Sequence, residues 1–149
     1  MPAIFGKMNR ISRCGMLYRG EKLQDLDINA CQHSFVLAIC HHPGMSQEQI
    51  ARHLCLNKST VARALTQLES TGYVIRTPDT EDKRVLLVYP TEKMENVFPR
   101  VREVTREWNR SLMEGISEEE TEIFLSVLTR ITERAKELTG NAADKGGAG

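Results

Sequence analysis

The order of signals between residues 46 and 90 constrains this chain more than any other feature. Ser46 and Gln49 form a capping box: the hydroxyl can accept from the amide three residues on, and Gln49 can reach back. Ile50, Ala51 and Leu54 then give a short helix one apolar side. Asn57 caps a second helix whose Val61, Ala64, Leu65 and Leu68 recur at helical spacing, and Gly72 supplies a left-handed residue to end it. Residues 73–76 and 85–89 are rich in β-formers and flank a polar stretch of Pro78, Asp79, Thr80, Glu81 and Asp82, which predicts a hairpin with a long tip. Residues 85–88 are apolar without alternation, so the pattern leaves the pairing register open. Helix, turn, helix and hairpin in this order can present the second helix to a DNA major groove and the hairpin to the flanking backbone or minor groove.

The flanks read as helix. Residues 4–26 place Phe5, Met8, Ile11, Gly15, Met16, Tyr18, Leu23 and Leu26 near one stripe, a long amphipathic first helix. Residues 32–41 carry Phe35, Val36, Ile39 and Cys40 and stop before His42-Pro43-Gly44, where proline disfavours helical geometry at His42. Beyond Thr91, Met94, Val97, Val101, Val104, Trp108 and Leu112 step by three or four, with Pro99 predicting a kink or a delayed helix start. Ser117 and Glu120 open a last helix through a second capping box. The small, Gly-rich residues 141–149 have nothing to bury and are expected to be disordered. The apolar stripes at both ends exceed what the central module can cover, which points to dimerisation through intertwined termini, or to one chain folding these helices on itself.

At 149 residues the chain has room for one domain with a core of its own. Lys and Arg number 20 and so do Asp and Glu, so no global field draws the protein to nucleic acid. Attraction to DNA must come from a local arrangement. No apolar run approaches the roughly 20 residues that span a bilayer, and the amino terminus lacks a secretion signal. Cys14, Cys31, Cys40 and Cys55 form no C-x-x-C pair, so reduced thiols and a cytoplasmic location are expected.

Lys58, Ser59, Thr60, Arg63 and Gln67 provide hydroxyls for phosphates and long polar side chains for base edges at the start of the second helix. Taken alone, Ser59 and Thr60 serve equally well as caps, and Lys58 and Arg63 as solvated surface. The hairpin adds Asp82-Lys83-Arg84, in which an acid two residues from an arginine can hold the guanidinium extended for a narrow groove.

These residues together resemble the MarR family of winged-helix transcription regulators. The resemblance is carried by Ile50-Ala51-x-x-Leu54, by Asn57-Lys58-Ser59-Thr60-Val61-x-Arg63-x-Leu65-x-x-Leu68-Glu69-x-x-Gly72-Tyr73-Val74-x-Arg76, by Asp82-Lys83-Arg84 and by Tyr89-Pro90-Thr91-Glu92. It implies a mainly α fold with a small β-wing. One domain would span residues 1–140, with a winged helix-turn-helix at about 32–90 and dimerisation helices at about 4–27 and 91–139. It further implies a homodimer on a palindromic operator in double-stranded DNA, acting as a repressor that a small-molecule effector releases. Lys58, Ser59, Thr60, Arg63 and Gln67 fall on the recognition helix; Arg76, Asp82, Lys83 and Arg84 fall on the wing.

The trigger is less sharply written. Cys14-Gly15-Met16-Leu17-Tyr18 resembles a fragment of the family's peroxide-sensing branch, in which tyrosine bonds the cysteine; Arg13 and Gly15 depart from that context, and a buried inert thiol is the plainer reading. Tyr18, Arg19, His33 and Trp108 could line a pocket for an organic anion, or simply pack. Cys31, His33, His41, His42 and His53 are metal-ligand types, but their spacing matches no compact site, so neither a metal nor a cofactor is expected. No phosphate loop or nucleophile and base pairing supports an enzyme. A winged-helix module for protein contacts, silent towards DNA, remains the other reading.

Overall fold

The computed structural model describes residues 3–141, so the expectation for the tail lies outside the described residues from position 142 on. The elements run α1 (Ile4–Lys22), α2 (His33–His41), β1 (Met45–Ser46), α3 (Gln47–Leu54), α4 (Lys58–Ser70), β2 (Val74–Pro78), β3 (Leu86–Pro90), α5 (Glu92–Leu112) and α6 (Glu118–Leu138). The chain divides into two compact units, one ending at Arg110 and one beginning at Ser111.

In the first unit a single core gathers Phe35, Val36 and Ile39 of α2, Ile50 of α3, Val61, Leu65 and Leu68 of α4, Val74 and Val88 of the sheet, and Met94, Val101 and Val104 of α5. Burying each such side chain is worth roughly 1.5–3 kcal/mol. The back of α4 is therefore fixed, and its opposite face is left to solvent. The helix starts are local: Ser46 and Gln49 complete their capping box, and the Asn57 side chain accepts from the Thr60 amide at 2.8 Å. α4 ends with Gly72 at φ +81°, the Tyr73 amide donating to Leu68 O at 2.8 Å and the Gly72 amide to Glu69 O at 3.0 Å. Those two bonds satisfy the last carbonyls and aim the chain into β2.

The sheet has three antiparallel strands in the order β1-β3-β2. β1 was not foreseen: it is two residues long, with Met45 opposite Val88 and Ser46 opposite Leu87. Its pairing makes β3 the central strand, with Val88 its one fully buried residue. The register left open is Val74 with Pro90 through Pro78 with Leu86. Pro78, expected in the tip, instead ends β2, an edge strand where a missing amide donor is tolerated.

One helix boundary differs from expectation. α1 stops at Lys22 rather than near Leu26. Asp25 and Asp27 follow, poor helix residues whose carboxylates are engaged elsewhere: Asp25 takes the Arg100 guanidinium, while Asp27 takes the Tyr73 hydroxyl and the Lys93 ammonium. Of the two outcomes expected at Pro99, the delayed start does not occur: α5 begins at Glu92 with Pro99 inside it, where the ring withholds one donor from the Glu95 carbonyl.

In the second unit, Ser117 and Glu120 cap α6 reciprocally, as their spacing predicts. Among the described residues α6 buries no side chain, and Ile123, Phe124, Leu125 and Val127 are exposed. Within the first unit, α1 likewise leaves Phe5, Ile11 and Leu17 exposed.

Candidate nucleic-acid interface

α3 and α4 are joined by a turn in which Cys55 takes a left-handed conformation (φ 53°), its amide bonding back to the end of α3. On α4 the buried Val61, Leu65 and Leu68 lie opposite Ser59, Arg63 and Gln67, which recur every four residues on an exposed face. Lys58 is largely free at the helix start, with a 3.5 Å ion pair to Glu48 of α3. Ser59 donates its hydroxyl to the Asn57 side chain at 2.8 Å, and Thr60 is half-buried with its amide on the same oxygen. Asn57 is thus the cap, and Ser59 keeps an acceptor oxygen outward.

The wing tip closes by local chemistry. The Val85 amide donates to Asp82 O at 2.9 Å, a four-residue turn with Asp in its favoured first position. The Asp82 carboxylate then accepts from the Arg84 amide at 3.1 Å and from the guanidinium Nε and Nη2 at 3.1 and 3.3 Å. These bonds hold the Asp82 carboxyl below the usual carboxylate range. The Arg84 side chain nevertheless remains 91% exposed, and Lys83 beside it is exposed as well. An arginine fixed at one edge and open elsewhere is suited to entering a groove, because part of its conformational entropy is already lost.

Arg76, which the resemblance places among the DNA-binding wing residues, has a side chain only 16% exposed. Its Nε and Nη2 donate to Glu69 at 3.1 and 3.2 Å, Nη1 to Gln47 at 3.0 Å and Nη2 also to Thr66 at 3.4 Å. A guanidinium already making four bonds inside the protein has little left for a phosphate.

The four pocket candidates come together where α1, α2 and α5 meet. The Tyr18 and Trp108 rings are 5.2 Å apart, and a methyl added at buried Gly15 would touch both Arg19 and Trp108. Burial, reinforced by the Arg19 guanidinium, pushes the His33 imidazole down to about 4. Arg19 Nε is buried without a hydrogen-bond partner. Tyr18 donates to Glu107 at 3.4 Å, and Cys14 is exposed rather than buried as the plainer reading had it. The tyrosine is therefore not engaged with the thiol. Among the described residues no group of three or more His, Cys, Asp or Glu could hold a metal ion, and no helix is long and apolar enough to cross a membrane.

A helix pair with an exposed polar face, followed by a wing that carries a tethered arginine, is the architecture of winged-helix DNA-binding regulators. Residues 28–86 match the MarR family model. The chain is 30% identical over 110 residues to the HTH-type transcriptional regulator YybA of Bacillus subtilis (strain 168), covering 74% of this chain and 73% of that protein. It superposes on the crystal structure of the transcriptional regulator SlyA with a TM-score of 0.88 at 27% identity, covering 91% of this chain and 96% of that one. A MarR family regulator from Listeria monocytogenes, solved with a 26mer DNA, shares the fold with a TM-score of 0.86 at 23% identity, covering 97% of this chain and 99% of that one. The chain belongs to the MarR family. It is a DNA-binding transcriptional regulator and not an enzyme.

Proposed function

We infer that the protein is a cytosolic homodimer that binds a palindromic operator, with Lys58, Ser59, Thr60, Arg63 and Gln67 in the major groove. Lys83 and Arg84 then lie against the flanking groove, with Asp82 holding Arg84 in place. The observation that carries this reading is Arg84 itself, tethered at two points yet almost wholly exposed. The DNA complex of the Listeria relative supports the same use of the fold. The exposed apolar residues of α1 and α6 support the dimer, since a stripe of this kind is stable in water chiefly when a second copy covers it.

Regulation by an organic anion is the companion inference. Tyr18, Trp108, Arg19 and His33 combine aromatic walls with a cation whose Nε lacks a partner, which is the chemistry of a carboxylate site. An anion seated there releases the operator, so the protein acts as a repressor. The oxidant-sensing alternative is less favoured because Tyr18 is bonded to Glu107 and not to Cys14.

Selection of duplexes from a randomised library tests the reading. The expected consensus is an inverted repeat with half-sites about one helical turn apart (roughly 34 Å), released by small aromatic carboxylates. Enrichment of no sequence, or of an asymmetric one, contradicts it.

A further inference from the structure

Arg76 joins three elements through one guanidinium. It stands on β2, where its neighbour across the ladder is Val88, and reaches Gln47 at the first turn of α3 and both Thr66 and Glu69 on α4. Two parallel bonds to the Glu69 carboxylate make the strongest part of this contact, because a planar fork meets a planar acid. The Arg76 guanidinium in turn holds the Glu69 carboxyl below its ordinary range. Thr66 is exposed on α4, one turn on from Arg63 and on the side of it that faces Glu69, so the bonds reach the edge of the reading face itself.

We propose that Arg76 is a positioning residue for DNA binding: together with Glu69 it locks the recognition helix to the wing at a fixed separation and contacts no phosphate. The proposal rests on the DNA-binding reading above. α4 and the wing must engage neighbouring grooves at once, and β2 is the strand that connects them. Backbone bonds set β2 against β3, and the core sets the back of α4. The clasp is the polar contact that ties the outer side of α4 directly to β2. It also neutralises Glu69, a negative charge that would otherwise stand free near the DNA.

The two readings of Arg76 predict opposite signs for Glu69. If Arg76 is a phosphate ligand, removing its internal competitor frees it and deletes a negative charge, so Glu69→Ala tightens binding. If Arg76 is a strut, the same substitution weakens binding although the protein becomes more positive. Fluorescence anisotropy with the duplex that the parent protein selects from a random library, repeated at several salt concentrations, separates them. The expected result is that Glu69→Ala and Arg76→Ala each weaken binding about tenfold, that the double variant is no worse than Arg76→Ala, and that the slope of log affinity against log salt stays at the parent value. Glu69→Gln, which keeps an acceptor for the guanidinium, recovers part of the loss. Tighter binding by Glu69→Ala overturns the proposal, as does a slope flattened by about 0.9 in Arg76→Ala, the signature of one lost phosphate contact. Hydrogen exchange on the free proteins keeps the two claims apart. Faster exchange in β2 and the second half of α4 in both alanine variants is expected, and unchanged exchange overturns the clasp. A parent that selects no duplex contradicts the DNA-binding reading, and the positioning role falls with it, whatever the exchange shows.

Discussion

Asp82 and Arg84, two residues apart at the wing tip, are joined by two guanidinium–carboxylate bonds of 3.1 and 3.3 Å, and the arginine still presents 91% of its side chain to solvent. In the same turn the Asp82 carboxylate accepts the Arg84 amide. One acid therefore shapes both the backbone of the tip and the direction of its cation. The contact adds little to folding stability, because exposed ion pairs are worth only about 0–1 kcal/mol. Its value lies in what it does to Arg84 before DNA arrives.

Asp82→Ala should accordingly weaken operator binding severalfold, even though it makes the protein more positive. Arg84 is then present but untethered, and it must lose its conformational freedom on binding. Anisotropy titrations at one salt concentration check this, and the loss should be smaller than for Arg84→Ala. Tighter binding by Asp82→Ala would show that charge outweighs pre-organisation at the wing.

Tyr73 links the end of α4 to the loop after α1. Its ring is buried, its hydroxyl donates to Asp27, and Lys93 sits over the ring at 4.3 Å while its ammonium also bonds Asp27 at 2.9 Å. Tyr73→Phe keeps the packing and removes one charge-assisted bond. It should lower stability by about 1–2 kcal/mol, measured by urea unfolding at fixed protein concentration. A midpoint equal to the parent's would mean that Lys93 alone satisfies Asp27.

His33 gives a pH dependence with a definite sign. Burial, then the Arg19 charge, lowers its folded-state pKa to about 4 from the ordinary 6.5. The unfolded chain takes up this proton near pH 6.5 and the folded chain only near 4. Stability present above pH 6.5 is therefore lost progressively as the pH falls through that window. Between pH 7.5 and 4.5 the parent should lose roughly 2 kcal/mol more than His33→Gln, allowing for partial solvent access. Parallel losses in urea midpoints would contradict the assignment.

What the sequence made legible was local. Both capping boxes, the Asn57 cap and the left-handed Gly72 follow from side chains acting within four residues of themselves, and all are present. The Asp82–Arg84 tether is local for the same reason. What stayed hidden depends on distant partners. β1 consists of two residues whose only strand signal is their pairing with β3. The end of α1 is set by Arg100, Lys93 and Tyr73, which lie far along the chain. Arg76 looked like a free cation because its partners Gln47, Thr66 and Glu69 converge only in the folded unit. The nearest sequence hint was an acid seven residues before an arginine across the Gly72 turn.

The central claim is that α4 and a tethered wing arginine form one reading head, and Arg84→Ala tests it most directly. With the selected duplex, the substitution should weaken binding tenfold or more (about 1–3 kcal/mol) and reduce the salt slope by about one. The oligomer mass and far-UV spectrum should stay at the parent values, since Arg84 holds nothing together but the wing tip. Unchanged affinity at fixed salt, with the protein folded, would contradict the account.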